Sequence, residues 1–128
     1  RALVGLFLRV APELDPNKIV DALEQRESLQ STGIGRGIAI PHARLDELEA
    51  PIIALGLSPG GIDFDALDGE PTHLFVTILV PSDEQGLHLK ILARISRLIA
   101  DKESLEKMLC AGDSEHLYAA FVEGDAKL

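Results

Sequence analysis

The run Leu74–Val80, LFVTILV, constrains the fold of this chain more than any other segment. It is apolar at odd and even positions alike, with Thr77 the one polar side chain, and Pro81 closes it. A strand apolar on both faces must be covered on both faces, so this run is read as the central strand of a sheet with helices on each side. The flanking segments supply those layers. Asp15-Pro16 opens a helix, Asp as N-cap and Pro at the first helical position, with Ile19, Val20 and Leu23 as its inner stripe. Gly37–Pro41 and Ile52–Ser58 read as short strands, Ser58-Pro59-Gly60-Gly61 as a turn, and the alternation of Ile62 and Phe64 as a short edge strand or extended loop. Gly86–Ala100 is the clearest amphipathic helix, and Asp101–Leu109 reads as a helix or kinked extension of it. Ser114 is read as the cap of a last helix carrying Leu117, Ala120 and Phe121. The N-terminal RALVGLFLRV is helical in period, with Leu3, Leu6, Phe7 and Val10 on one face. Alternating helices and strands predict an α/β class: a three-layer sandwich with a mixed, mostly parallel central sheet flanked by helices.

Size and charge narrow the possibilities further. The chain has 128 residues, enough for one domain with a packed core. It is 46% hydrophobic but only 4% aromatic, so Leu, Ile, Val and Ala must fill the interior. A formal net charge of −9 opposes binding to nucleic acid backbones or anionic membranes and is compatible with a basic protein partner. The single cysteine, Cys110, excludes an intramolecular disulfide framework and a cysteine-rich zinc site, and the cytoplasm is the expected compartment. The apolar runs are too short to span a bilayer and no signal-peptide pattern occurs, so direct membrane insertion is not expected.

Three side chains stand out for their chemistry. His42 follows Pro41 at the end of the run GIAIPH. Arg26 falls in the same helical arc as Ile19 and Leu23, placing a cation on the core-facing side. His88 shares its stripe with Leu92, Ile95 and Ile99 and sits in the first turn of its helix, where the dipole favours an anion. Each has an ordinary structural reading: a satisfied core histidine, or an arginine that snorkels or pairs locally. Three cationic or potentially cationic groups facing inward have no internal reason to meet unless an anion joins them. A metal site built from His42, His73 and His88 with Asp83 or Glu84 is the rival. No HExxH-type spacing supports it, and an inward arginine repels a dication. The glycines of STGIGRG lack the Gly-Lys-Ser/Thr of a P-loop and read as a tight turn requiring positive φ. His73 is read as structural or exposed, His116 as solvated, and Asp63/Asp65 and Asp83/Glu84 as solvated loop charge.

The segment Ser31–Arg44, ST-GIG-x-GIAIPH-x-R, followed by a helix that opens with histidine, resembles the type-2 enzyme IIA domain of the bacterial phosphotransferase system. This is the fructose/mannitol-specific and nitrogen-regulatory family, and the resemblance runs from the first helix to about Val122. It implies that residues 1–128 are one such domain. The family begins with a strand and a loop before the first helix, whereas this chain starts inside that helix, so the N-terminal strand is expected to be missing. It further implies that His42 is the phosphorylated histidine, that Arg26 in R-E-x-L-x-S-T binds phosphoryl oxygens, and that His88 in H-L-x-x-L-A donates to them. Thr32 and Ser31 are expected to add hydroxyl donors, and no metal or organic cofactor is implied. The implied partners are the histidine-containing phosphocarrier protein as donor and an enzyme IIB domain as acceptor. The alternatives are a nitrogen-type regulator whose histidine phosphorylation controls protein targets, a non-catalytic binding module on the same fold, and a metal-dependent hydrolase.

Overall fold

The computed structural model describes residues 15–29, 33–35, 37–46, 48–62, 68–82 and 86–127. In chain order the elements are α1 (Pro16–Leu29), β1 (Gly33–Gly35), β2 (Ile38–Ala39), β3 (His42–Leu45), β4 (Ile52–Ile62), β5 (Thr72–Pro81), α2 (Leu87–Ala100), α3 (Lys102–Leu109) and α4 (Ser114–Ala126). The expected N-terminal helix, Ser31, Thr32, Phe64 and the pairs Asp63/Asp65 and Asp83/Glu84 lie outside the described residues. The chain divides into two compact units, Arg1–Glu84 and Gln85–Leu128.

In the first unit β5 is the strand that the apolar run demands, buried without a break from Leu74 to Pro81. β2 and β3 lie along one of its edges, both parallel to it: Ile38 faces Leu74, Ala39 faces Phe75, His42 faces Ile78 and Leu45 faces Pro81. One register therefore runs through both short strands. Pro41 interrupts them because it has no N–H to give, yet its carbonyl still accepts from Ile78 N at 2.9 Å. The strand expected to stop at Pro41 thus resumes at His42. β4 pairs antiparallel with the other edge of β5, from Ile52 opposite Leu79 to Ile62 opposite Thr72, and β1 pairs antiparallel with β2. The result is a mixed sheet in an α/β chain.

One expectation needs correction in β4. Ser58–Gly61 is not a separate turn but part of the strand, and the register shift between Leu57 and Ile62 takes up the irregular residues. Proline is tolerated there because β4 is bonded on one side only among the described residues. Helix α1 starts as expected: the Asn17 amide donates to Asp15 Oδ1 at 2.9 Å and the Ile19 amide to the Asp15 carbonyl at 3.2 Å. Its inner face packs Ile19, fully buried, with Ala43, Leu45, Leu48, Ala54 and Leu79, and Val20, Ala22, Leu23 and Ile52 surround that cluster. Burying a side chain such as Ile19 contributes about 1.5–3 kcal/mol, which fixes α1 against β3.

The second unit is helical. α2 buries Ile95, Leu98 and Ile99; α3 buries Ser104, Leu105 and Met108; α4 buries Leu117, Ala120 and Gly124. Asp101, extended at φ −78° and ψ 107°, separates α2 from α3, so the two are distinct helices. Asp113, not Ser114, is the N-cap of α4, accepting from the His116 amide at 2.8 Å. That backbone bond, then the His116 side chain, holds the Asp113 carboxyl below its ordinary range. The stabilisation this represents is present above the ordinary carboxylate range and is lost as pH falls through the lowered value. Among the described residues no helix is long and apolar enough to cross a membrane.

Gly124 is where this unit is tightest. A Cβ there would lie 2.4 Å from Leu98 Cδ1 and 3.0 Å from Ser104 Cβ. Helix propensity alone favours Gly124→Ala by about 1 kcal/mol, whereas overpacking opposes it by about 1–3 kcal/mol. We expect a net loss of stability for Gly124→Ala in urea unfolding; a gain would contradict this close approach of α4 to α2 and α3.

Candidate functional site

The site is built where the last turn of α1 meets the start of β3. The core-facing stripe that buries Ile19 and Leu23 continues one turn further to Arg26, the one basic residue in the last turn of α1. Because α1 is seated on Ala43 and Leu45, its end lies beside the first residue of β3. Arg26 Nε–H accordingly donates to His42 Nε2 at 3.3 Å. Both side chains are half-buried, shielded from bulk water but open to a visitor.

The second ring nitrogen is held just as definitely. His42 Nδ1 lies 3.0 Å from the Ile40 carbonyl oxygen. A carbonyl only accepts, so Nδ1 carries the proton; a guanidinium only donates, so Nε2 presents its lone pair. Two independent partners assign the same tautomer, with the lone pair at Nε2. Ile40 and Pro41 form the break between β2 and β3, so the Ile40 carbonyl lies two residues before the imidazole that it holds.

The other named residues are placed as follows. His88 belongs to the second unit and is the second residue of α2, half-buried in its first turn behind Gly86, which takes φ 81°. Ser31 and Thr32 lie outside the described residues. His73 is on β5, its Nδ1–H donating to the Ser58 carbonyl at 3.0 Å, the structural one of the two readings given to it. His116 is exposed and paired with Asp113. Among the described residues no group of three or more His, Cys, Asp or Glu is placed to hold a metal ion. Gly37 takes φ 78°, the left-handed turn that the glycine-rich segment predicts.

Two features escaped sequence reasoning. The Ile40 carbonyl is a backbone group and leaves no trace in residue identity. Arg44 stands two residues beyond His42 on the same face of β3, exposed, about 7 Å along the strand; the period-2 alternation of HARL carried that signal.

The family model described as phosphoenolpyruvate-dependent sugar phosphotransferase system, EIIA 2, matches residues 9–124. The chain belongs to this EIIA family. A nitrogen regulatory protein of Pseudomonas aeruginosa is 38% identical over 121 residues, which is 94% of this chain and 79% of that protein. A PTS system fructose-specific EIIA component of Haloferax volcanii is 39% identical over 109 residues, 85% of this chain and 71% of that protein. The crystal structure of nitrogen regulatory protein IIA-Ntr from Neisseria meningitidis superposes with a TM-score of 0.82 at 32% identity, covering 91% of this chain and 80% of that one. Relatives named as fructose-specific EIIA components and relatives named as nitrogen regulatory proteins are thus both similar to this chain along most of its length.

The hydrogen-bond assignment for this EIIA domain is open to direct measurement. In ¹⁵N-labelled protein at neutral pH, long-range ¹H–¹⁵N correlation is expected to find His42 Nδ1 protonated and Nε2 bare. The opposite tautomer would contradict the roles given to Ile40 and Arg26.

Proposed function

We propose that this EIIA domain is a phosphoryl carrier in which His42 Nε2 takes a phosphoryl group from the phosphorylated histidine-containing phosphocarrier protein and passes it to an enzyme IIB domain. The observation that carries this reading is the pair of opposed hydrogen bonds on His42, Nδ1 to the Ile40 carbonyl and Nε2 to Arg26. In the forward step the Nε2 lone pair forms a bond to phosphorus while the donor's P–N bond breaks, and the donor imidazole keeps that electron pair. The proton stays on Nδ1, donated to the Ile40 carbonyl, throughout, so the imidazole needs no prior deprotonation.

Arg26 has two tasks in this scheme. Before transfer its N–H marks the Nε2 lone pair; during transfer its fork of donors moves to the phosphoryl oxygens, whose charge and geometry suit a planar guanidinium. His88, at the positive end of α2, is assigned as a further donor to the same oxygens. Ser31 and Thr32 are assigned as hydroxyl donors to the phosphoryl group. Fixed donors meet the charge of the group in flight without metal or cofactor. The net charge of −9 suits encounter with a carrier that presents a basic face, which salt would slow.

A second reading is a regulator whose His42 phosphorylation state governs a protein target. It is favoured by the 38% identity to a protein named for nitrogen regulation. The same residues serve both readings; onward transfer to an enzyme IIB separates them.

The test is incubation with enzyme I, the phosphocarrier and phosphoenolpyruvate, followed by intact mass and site mapping. One phosphoryl group is expected on His42 and none on His42→Ala. Arg26→Ala and His88→Ala are expected to slow transfer by roughly one to three orders of magnitude, as for lost transition-state donors, with the fold retained. Label persisting on His42→Ala removes His42 from its role; unchanged rates in the other two variants remove Arg26 and His88.

A further inference from the structure

His73 has no part in the proposed phosphotransfer, yet three strands are arranged around its ring. It stands on β5, with Gly37 at the entry to β2 on one side and the irregular stretch of β4 between Leu57 and Ile62 on the other. Gly37 and Gly61 both take φ 78°, and neither has a side chain to crowd the imidazole. A Cβ on Gly37 would lie 3.3 Å from His73 Cδ2, and one on Gly61 would lie 2.9 Å from His73 Cε1. The ring is therefore seated between two glycines, and a hydrogen bond fixes its orientation: Nδ1–H donates to the Ser58 carbonyl at 3.0 Å.

Gly37 connects this seat to the site. Its carbonyl accepts from the His73 and Leu74 amides, both at 2.8 Å. Four residues on, the Pro41 carbonyl accepts from Ile78 N at 2.9 Å. Ile40 lies between these two anchors, and its carbonyl is the acceptor for His42 Nδ1. A left-handed glycine has wide conformational freedom of its own, so its neighbours must hold Gly37 in place. The His73 amide holds its carbonyl, and the His73 ring packs where its side chain would be.

We propose that His73 is a positioning residue for His42. Its ring, tied to Ser58 and seated against Gly37, fixes the start of β2 and thereby the Ile40 carbonyl that orients the His42 imidazole. His73 acts through the backbone of β2 and not on the group in flight. The proposal deepens the phosphoryl-carrier reading and rests on it for the effect on transfer, whereas the effect on the His42 ring is observable without any phosphoryl donor.

The experiment compares His73→Leu, which keeps bulk but not the donor, with His73→Asn, whose side-chain N–H can serve the Ser58 carbonyl in place of Nδ1–H. In the ¹⁵N-histidine-labelled full chain, His73→Leu is expected to move the His42 Nδ1 and Nε2 signals toward those of mixed tautomers, and His73→Asn to return them toward the parent. In transfer from the phosphocarrier, His73→Leu is expected to lower kcat about tenfold with KM unchanged, as for a misplaced reacting group. His73→Asn should recover most of that loss. Gly37→Ala, which presses on the same ring from β2, should disturb the His42 signals in the same direction, and it carries the test if His73→Leu does not fold. A merely structural His73 would lower the urea midpoint of His73→Leu and leave the His42 signals and kcat as they were, which overturns the proposal. It is equally overturned if His73→Asn fares no better than His73→Leu, or if KM rises at constant kcat. If the parent accepts no phosphoryl group, the carrier reading fails and the ¹⁵N signals alone decide on His73.

Discussion

The chemistry proposed for this chain rests on a short line of hydrogen bonds: His42 Nδ1 to the Ile40 carbonyl, and Arg26 Nε to His42 Nε2. Neither end of the line can reverse its role, because a carbonyl cannot donate and a guanidinium cannot accept. An imidazole between them is oriented, with its lone pair at Nε2. The proposed transfer uses that lone pair and calls for no auxiliary base.

That line depends on packing some distance from it. Arg26 reaches His42 because α1 is held to β3 by Ile19, Ala43, Leu45 and Leu79. The Ile40 carbonyl is available because β2 and β3 are one strand in register, broken at Pro41 where an amide is missing. β5 keeps that register on both sides of the break, and its buried length is what allows it to do so. A lesion in β5 would therefore disturb the imidazole through the strand that carries it.

Much of this could be read from residue identity. LFVTILV could only be a covered strand, Asp15-Pro16 could only open a helix well, and the inward phase of Arg26 followed from its spacing to Ile19 and Leu23. What could not be read were the features that a neighbour decides. Proline normally ends a strand, yet pairing resumes at His42 because β5 still offers partners there. Ser58-Pro59-Gly60-Gly61 has turn composition, yet β4 continues through it because an edge strand can bulge. Asp113 and Ser114 are both good caps by composition; which of them bonds the His116 amide is set by where the chain enters α4. The Ile40 carbonyl was invisible in principle, since every residue carries one.

The proposed function places the phosphoryl group on one nitrogen of His42. The most direct measurement is ³¹P and ¹⁵N NMR of the carrier-phosphorylated, ¹⁵N-histidine-labelled chain. The account predicts phosphorus coupled to Nε2 of His42, with Nδ1 still protonated. Phosphorus on Nδ1, or on any other histidine, would contradict it.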